Sequence, residues 1–166
     1  SVGGARVVAR VAAAAAKVPQ DEIQLLNGSG LALENKISPR AATAMLMAID
    51  NKYQSESLRV QDLFPTSGRD KVGTMVHRTL PFGTTIKTGT LNTVSALAGV
   101  IPTRDRGQVW FTIINHGNDV SQFRKQQDLF LQRLSQHWQL NSAIVSVSNV
   151  RPPYLGDPNR ISSLIK

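Results

Sequence analysis

Between Gly83 and Asn115 the chain carries three stretches rich in β-branched and apolar residues, Thr84 to Thr88, Val94 to Ile101 and Val109 to Asn115. The turn-forming segments Gly89 to Asn92 and Pro102 to Gly107 separate them. Links this short leave no length for a crossover, so consecutive strands must lie antiparallel. Asp119 to Trp138 then reads as a helix, with Phe123, Leu129, Phe130, Leu134 and Trp138 at helical spacing and charges between them. Such a helix should cover one face of the sheet. The expected class is α/β in the α+β sense: an antiparallel sheet with packed helices.

Upstream, Ala5 to Lys17 predicts a helix, because alanine is the strongest helix former and Pro19 follows as a stop. Its Ala12 to Ala16 run suits close packing. Ile23-Gln24-Leu25-Leu26 predicts a short strand that delivers the Gly28-Ser29-Gly30 turn. Ser38 is an N-cap and Pro39 a first helical residue, launching Arg40 to about Tyr53 with Met45, Leu46 and Ile49 inward. Ser57 to Phe64 adds a helical turn or two, and Thr66 to Thr74 is turn-rich. Beyond Leu140, Ile144 to Val147 predicts an edge strand, while Arg151-Pro152-Pro153 and Asp157-Pro158 predict an irregular tail. A chain of 166 residues with 41% hydrophobic content buries one sizeable core. Residues 1–140 therefore form one unit and 141–166 the edge strand and tail.

Composition narrows the chemistry. The chain has no Cys, which rules out disulfides and thiolate metal sites. His77, His116 and His137 match no metal-ligand spacing, and Asp105 and Asp119 have no carboxylate partner at motif spacing. The glycines near Gly28 lack a nucleotide-binding fingerprint. No metal or cofactor is expected. The net charge of +8 attracts anions, but the 19 Lys and Arg are scattered and aromatic residues make up 5%, which argues against a nucleic-acid site. No apolar run is long enough to span a membrane.

Lys87-Thr88-Gly89-Thr90 places a cation, two hydroxyls and a residue without a side chain together on a strand. Alternation puts Lys87 and Gly89 on one face and Thr88 and Thr90 on the other. Gly89 removes a Cβ that would obstruct a ligand lying along the strand. Two readings of Lys87 stand side by side: a lysine snorkelling to solvent, or a point charge for an anionic ligand. Ser29 likewise is either a turn residue between glycines or a substrate contact.

The combination of Asn27-Gly28-Ser29-Gly30-Leu31, then Ser38-Pro39-Arg40, then Lys87-Thr88-Gly89-Thr90-Leu91, with Val94-Ser95-Ala96-Leu97-Ala98-Gly99 directly after, resembles one family. These are the low-molecular-mass penicillin-binding proteins of the D-Ala-D-Ala carboxypeptidase/endopeptidase type, class C, peptidase family S13, which carry Asp-Gly-Ser-Gly-Leu-Ser and then Lys-Thr-Gly-Thr-Leu. The resemblance runs from about Gly4 to about Trp138; Asn27 stands where the family has Asp, and Ala32 where it has Ser.

The resemblance implies the β-lactamase/transpeptidase-like fold and serine-type acyl transfer on peptidoglycan stem peptides, with β-lactams as alternative ligands. It gives Lys87 and Thr88 to the ligand carboxylate and the backbone N–H of Thr90 to the oxyanion. Gly89 and Ser29 join the substrate-binding residues.

Family members also need Ser-x-x-Lys and Ser-x-Asn elements. No Asn here follows a Ser by two positions, and Ser163-Leu164-Ile165-Lys166 matches only at the last four residues, where a frayed terminus cannot seat a nucleophile. Because both elements precede the matched region in the family, the expectation is the carboxy-terminal part of a longer exported enzyme. Its partners would be the stem peptide and the missing amino-terminal part, and its place outside the cytoplasm. The rival expectation is a non-catalytic basic module that binds an anionic cell-wall polymer.

Overall fold

Ala5, Ala9 and Ala13 recur every four residues and are all buried, so the first helix, α1 (Val2–Ala16), packs closely along an alanine seam. A computed structural model of the chain describes residues 2–54, 58–141, 143 and 154–157. Lys17 ends α1 in the left-handed region at φ 54°, ahead of Pro19. β1 (Ile23–Gln24) pairs antiparallel with β2 (Lys36–Ile37), so the strand expected over Ile23 to Leu26 stops two residues early. The second helix, α2 (Pro39–Tyr53), starts as its sequence dictates: Ser38 Oγ accepts from the Ala41 N–H at 2.9 Å with Pro39 at the first position. A short helix, α3 (Val60–Leu63), lies within the expected Ser57 to Phe64 segment, of which Ser57 itself is outside the described residues.

The sheet that organises the molecule is β3 (Thr85–Leu91), β4 (Val94–Thr103) and β5 (Gly107–His116), antiparallel and in that order. Each strand is longer than its apolar run. Gly89 and Thr90, which the sequence offers both to a strand and to a turn, pair in the ladder with Ala96 and Ser95, which leaves only Asn92 and Thr93 to reverse the chain. Pro102 and Thr103 extend β4 in the same way, opposite Gln108 and Gly107. Pro102 fits because β3 begins opposite Val100, and the segment that lies on that side instead asks only for an acceptor: the Pro102 carbonyl accepts from the Asn141 N–H at 3.4 Å beside the Thr103–Leu140 bridge.

The final helix, α4 (Val120–Trp138), is N-capped by Asp119, whose Oδ1 accepts from the Gln122 N–H at 2.8 Å. It packs on one sheet face, where Leu131 meets Ile86, Leu97, Ile101 and Phe111. Leu131 is fully buried, and a side chain of that size contributes about 2 kcal/mol. The inward residues are not all those expected. Leu129 and Phe130 are exposed, at 45% and 54%, because the side facing the sheet is set by Gln127, Asp128, Leu131 and Ser135. The opposite sheet face carries Ala98, Val100 and Trp110 against Leu46, Ile49 and Val60 of α2 and α3.

A buried ion pair fixes α4: Arg78 Nη2 lies 2.7 Å from Asp128 Oδ1. Asp128 Oδ2 also accepts from the Thr79 N–H at 2.9 Å. The segment Tyr154 to Asp157 lies near α3, with the Leu155 N–H bonded to the Asp62 carbonyl at 2.7 Å. The strand expected at Ile144 to Val147, the Arg151-Pro152-Pro153 segment and the Ser163 to Lys166 letters lie outside the described residues.

Candidate functional site at the β3 edge

β3 is the terminal strand of its sheet, and among the described residues only its start has another segment paired to its outer side. There Thr66 bridges Thr85, with the Ser67 N–H bonded to Thr84 O at 2.8 Å and the Ile86 N–H to Pro65 O at 3.0 Å. The direction of the Ile86 N–H fixes the rest by alternation. Residues 86, 88 and 90 turn their backbone groups outward, while residues 85, 87, 89 and 91 turn theirs toward β4. Past the bridge, the N–H and C=O of Thr88 and Thr90 therefore face an edge that no described strand occupies.

Side chains follow the register. Lys87 pairs with Ala98 and Gly89 with Ala96, placing both on the α2 side of the sheet; Thr88 and Thr90, opposite Leu97 and Ser95, are on the α4 side. Lys87 is exposed and curls over the edge, where its Nζ donates to the outward carbonyl of Thr88. Its ammonium thus stands at the strand margin. A Cβ on Gly89 would meet only the Ala96 Cβ, at an ordinary 3.6 Å. The fold does not require a glycine there, and the space it leaves lies outside the protein.

Two neighbours anchor the threonines. Thr74, in the 3₁₀ turn Gly73–His77, shares a 2.6 Å hydrogen bond between its hydroxyl and that of Thr88. Arg124 of α4 donates from Nη2 to Thr90 Oγ1 at 2.8 Å. A recess of about 140 Å³ adjoins Lys87 and Thr88, walled by Val72, Thr74, Met75 and Tyr154. Burial, followed by the charges of Asp157 and Asp70, raises the Tyr154 phenol above its ordinary range. Sequence reasoning missed Thr74, Arg124 and Tyr154. Thr74 and Arg124 carry no motif, and Tyr154 belongs to a segment expected only to be irregular.

Ser29 is placed differently. Its N–H and Oγ both donate to Asn27 Oδ1, at 3.2 and 3.0 Å, and its Oγ accepts from the Leu31 N–H at 3.3 Å. All of its hydrogen bonds stay within the loop. Asn35 closes that loop, with Oδ1 accepting from the Leu26 N–H at 2.7 Å and Nδ2 donating to Asn27 Oδ1 at 3.1 Å. Asn27 Oδ1 acts throughout as an acceptor, a part a carboxylate oxygen fills equally well. Gly30 sits at φ 74°, the left-handed region that favours glycine. Lys87, Thr88, Gly89 and Thr90 thus form one contiguous candidate site, and Ser29 belongs to a separately braced loop.

His116 lies at the end of β5, with Nε2 3.4 Å from Thr93 Oγ1. Among the described residues no three His, Asp or Glu side chains cluster as metal ligands, and no helix is long and apolar enough to cross a membrane.

A family model for the D-Ala-D-Ala carboxypeptidase 3 (S13) family matches residues 2–137. Solved structures share the fold. The predatory endopeptidase Bd3459 of Bdellovibrio bacteriovorus superposes with a TM-score of 0.63 at 20% identity, over 82% of this chain and 39% of that one. Bd0816, a predatory endopeptidase of the same organism in complex with the immunity protein Bd3460, gives 0.62 at 23% identity over 82% and 37%. Penicillin G acylated Bd3459, in complex with Bd3460, gives 0.60 at 20% identity over 79% and 37%. The chain therefore spans less than two fifths of the length of these structures. No curated protein sequence matches it.

Proposed function

The chain belongs to the D-Ala-D-Ala carboxypeptidase 3 (S13) family, and we propose that it forms the substrate-binding wall of a serine-type D-Ala-D-Ala carboxypeptidase/endopeptidase acting on peptidoglycan stem peptides outside the cytoplasm. One observation carries this reading: an open strand edge presents the backbone groups of Thr88 and Thr90 beside the Lys87 ammonium. An extended peptide adds to such an edge as a further strand, with main-chain hydrogen bonds for affinity. The Thr90 C=O receives the substrate amide N–H. Lys87 and the Thr88 hydroxyl attract the terminal carboxylate, and Gly89 leaves clearance for the ligand.

In the acyl transfer, a serine hydroxyl attacks the carbonyl between two D-Ala residues and gives up its proton to a base. The carbonyl oxygen becomes an oxyanion, which the outward Thr90 N–H stabilises; one such donor contributes roughly 3 to 4 kcal/mol. Collapse expels the terminal D-Ala, whose amine nitrogen takes the proton back from the base, and water then hydrolyses the ester and restores the serine hydroxyl. The same steps with a β-lactam stop at the ester. The serine and its base come from a Ser-x-x-Lys element outside the matched residues of this chain.

Two measurements test the proposal. Lys87→Ala should weaken binding of an acetyl-capped peptide ending in D-Ala-D-Ala at least tenfold, a loss of about 1.4 kcal/mol; unchanged affinity removes the carboxylate role. A fluorescent penicillin should leave the chain unlabelled, and covalent labelling overturns the assignment of the nucleophile elsewhere. Binding to an anionic polymer that ignores Lys87→Ala while the peptide fails to bind favours the basic-module alternative.

A further inference from the structure

Arg124 reaches the β3 edge from α4 and meets no acid there. Among the described residues it forms no ion pair, and its bond is to the neutral Thr90 hydroxyl at 2.8 Å. Asp128, one helical turn further along, is already committed to Arg78 Nε at 2.8 Å and to the Thr79 N–H at 2.9 Å. A guanidinium is shaped to grip a carboxylate through two parallel N–H bonds. This one is held at the edge by Thr90, with no carboxylate of the described residues in its grip.

The bond also determines what Thr90 offers. A hydroxyl has one proton and two acceptor lone pairs. With a lone pair occupied by the Arg124 N–H, the proton remains available to a ligand, and the adjacent positive charge makes it a stronger donor. Lys87 overhangs the same margin from the opposite sheet face. An anion docked at the edge is thereby flanked by one cation from the α2 side and one from the α4 side.

We propose that Arg124 is a positioning and specificity-determining residue for the ligand's terminal carboxylate. It orients the Thr90 hydroxyl to donate to that group and supplies the second positive charge. This rests on the β3 edge being the substrate-binding wall, and the ligand class is an extended peptide with a free C-terminal carboxylate.

The test is an NMR titration of the full chain with an acetyl-capped peptide ending in D-Ala-D-Ala and with its C-terminal carboxamide. The wild type should prefer the acid by about tenfold or more, as charge-assisted hydrogen bonds allow. Arg124→Met, which keeps the length of the stem, should cut that preference to about twofold, and Arg124→Lys should restore part of it. Thr90→Val should match Arg124→Met, and the double variant should lose no more than either single one. An amide spectrum unchanged outside the edge shows that each variant folds. If Arg124→Met keeps the preference while Lys87→Ala loses it, the inference is overturned and the substrate wall stands. If the wild type binds neither peptide, or both equally, the substrate wall and the inference fall together.

Discussion

Gly99 of β4 and Thr85 of β3 approach so closely that a Cβ on Gly99 would overlap the Thr85 carbonyl oxygen and stand 3.1 Å from the Ile86 Cα. Both obstructing atoms are backbone, so no side-chain rotation relieves them. Gly99→Ala should therefore push the start of β3 off β4 and cost about 1 to 3 kcal/mol, as overpacking does. Urea denaturation measures it, and an unchanged midpoint contradicts the packing described.

Gly89 predicts the opposite outcome. Its added Cβ meets only Ala96, at 3.6 Å, so Gly89→Ala should leave stability within about 0.5 kcal/mol while weakening the D-Ala-D-Ala peptide. A stable variant with full affinity removes the idea that the glycine clears space for ligand.

The Arg78 and Asp128 side chains are 3% and 11% exposed at 2.7 Å, and breaking such a pair leaves an unpaired charge in place. Asp128→Ala should cost about 3 to 5 kcal/mol, read as a lower thermal midpoint. Loss of the Arg78 tie should also loosen α4, and with it the approach of Arg124 to Thr90.

Tyr154 supplies a pH test. Burial and the charges of Asp157 and Asp70 hold its folded pKa above the unfolded value, which is about 10. The phenol is neutral in both states below that value and costs nothing. As pH rises past it the unfolded chain ionises first, so stability is lost as pH climbs through the folded pKa. The 295 nm difference titration between the protein and Tyr154→Phe should have its midpoint above about 10. A midpoint at or below that value places the ring in solvent.

Phe130 is 54% exposed on the outer side of α4. Phe130→Ser should change stability by no more than about 0.5 kcal/mol, whereas Leu131→Ala should cost about 2 to 5 kcal/mol. Equal losses would mean the helix is rotated from the orientation described.

How much of this was legible in the sequence depends on how local each signal was. Ser38 with Pro39 marked a helix start because capping needs only adjacent residues, and three strands with short links dictated an antiparallel meander. Strand ends were less visible. Gly89, Thr90 and Pro102 favour turns on their own, yet ladder partners hold them in strands. Leu129 and Phe130 misled because periodicity ranks apolar residues together, while buried Gln127 and Asp128 turn the helix by satisfying Ser95, Asn115, Arg78 and Thr79. At the site, the Lys87 to Thr90 run was contiguous and readable. Thr74, Arg124 and Tyr154 arrive from distant segments by tertiary packing alone.

The curl of Lys87 onto the Thr88 carbonyl bears on the protein at rest. An uncovered margin that welcomes one extended chain invites every other, including a second copy of itself, and stacking of that kind leads to aggregates. A flexible ammonium lying across the outward Thr88 carbonyl charges the seam against apolar strangers, and under the proposed function it must swing aside for a guest bearing its own negative end. On that reading, resistance to edge pairing and choice of ligand draw on the same four-carbon arm.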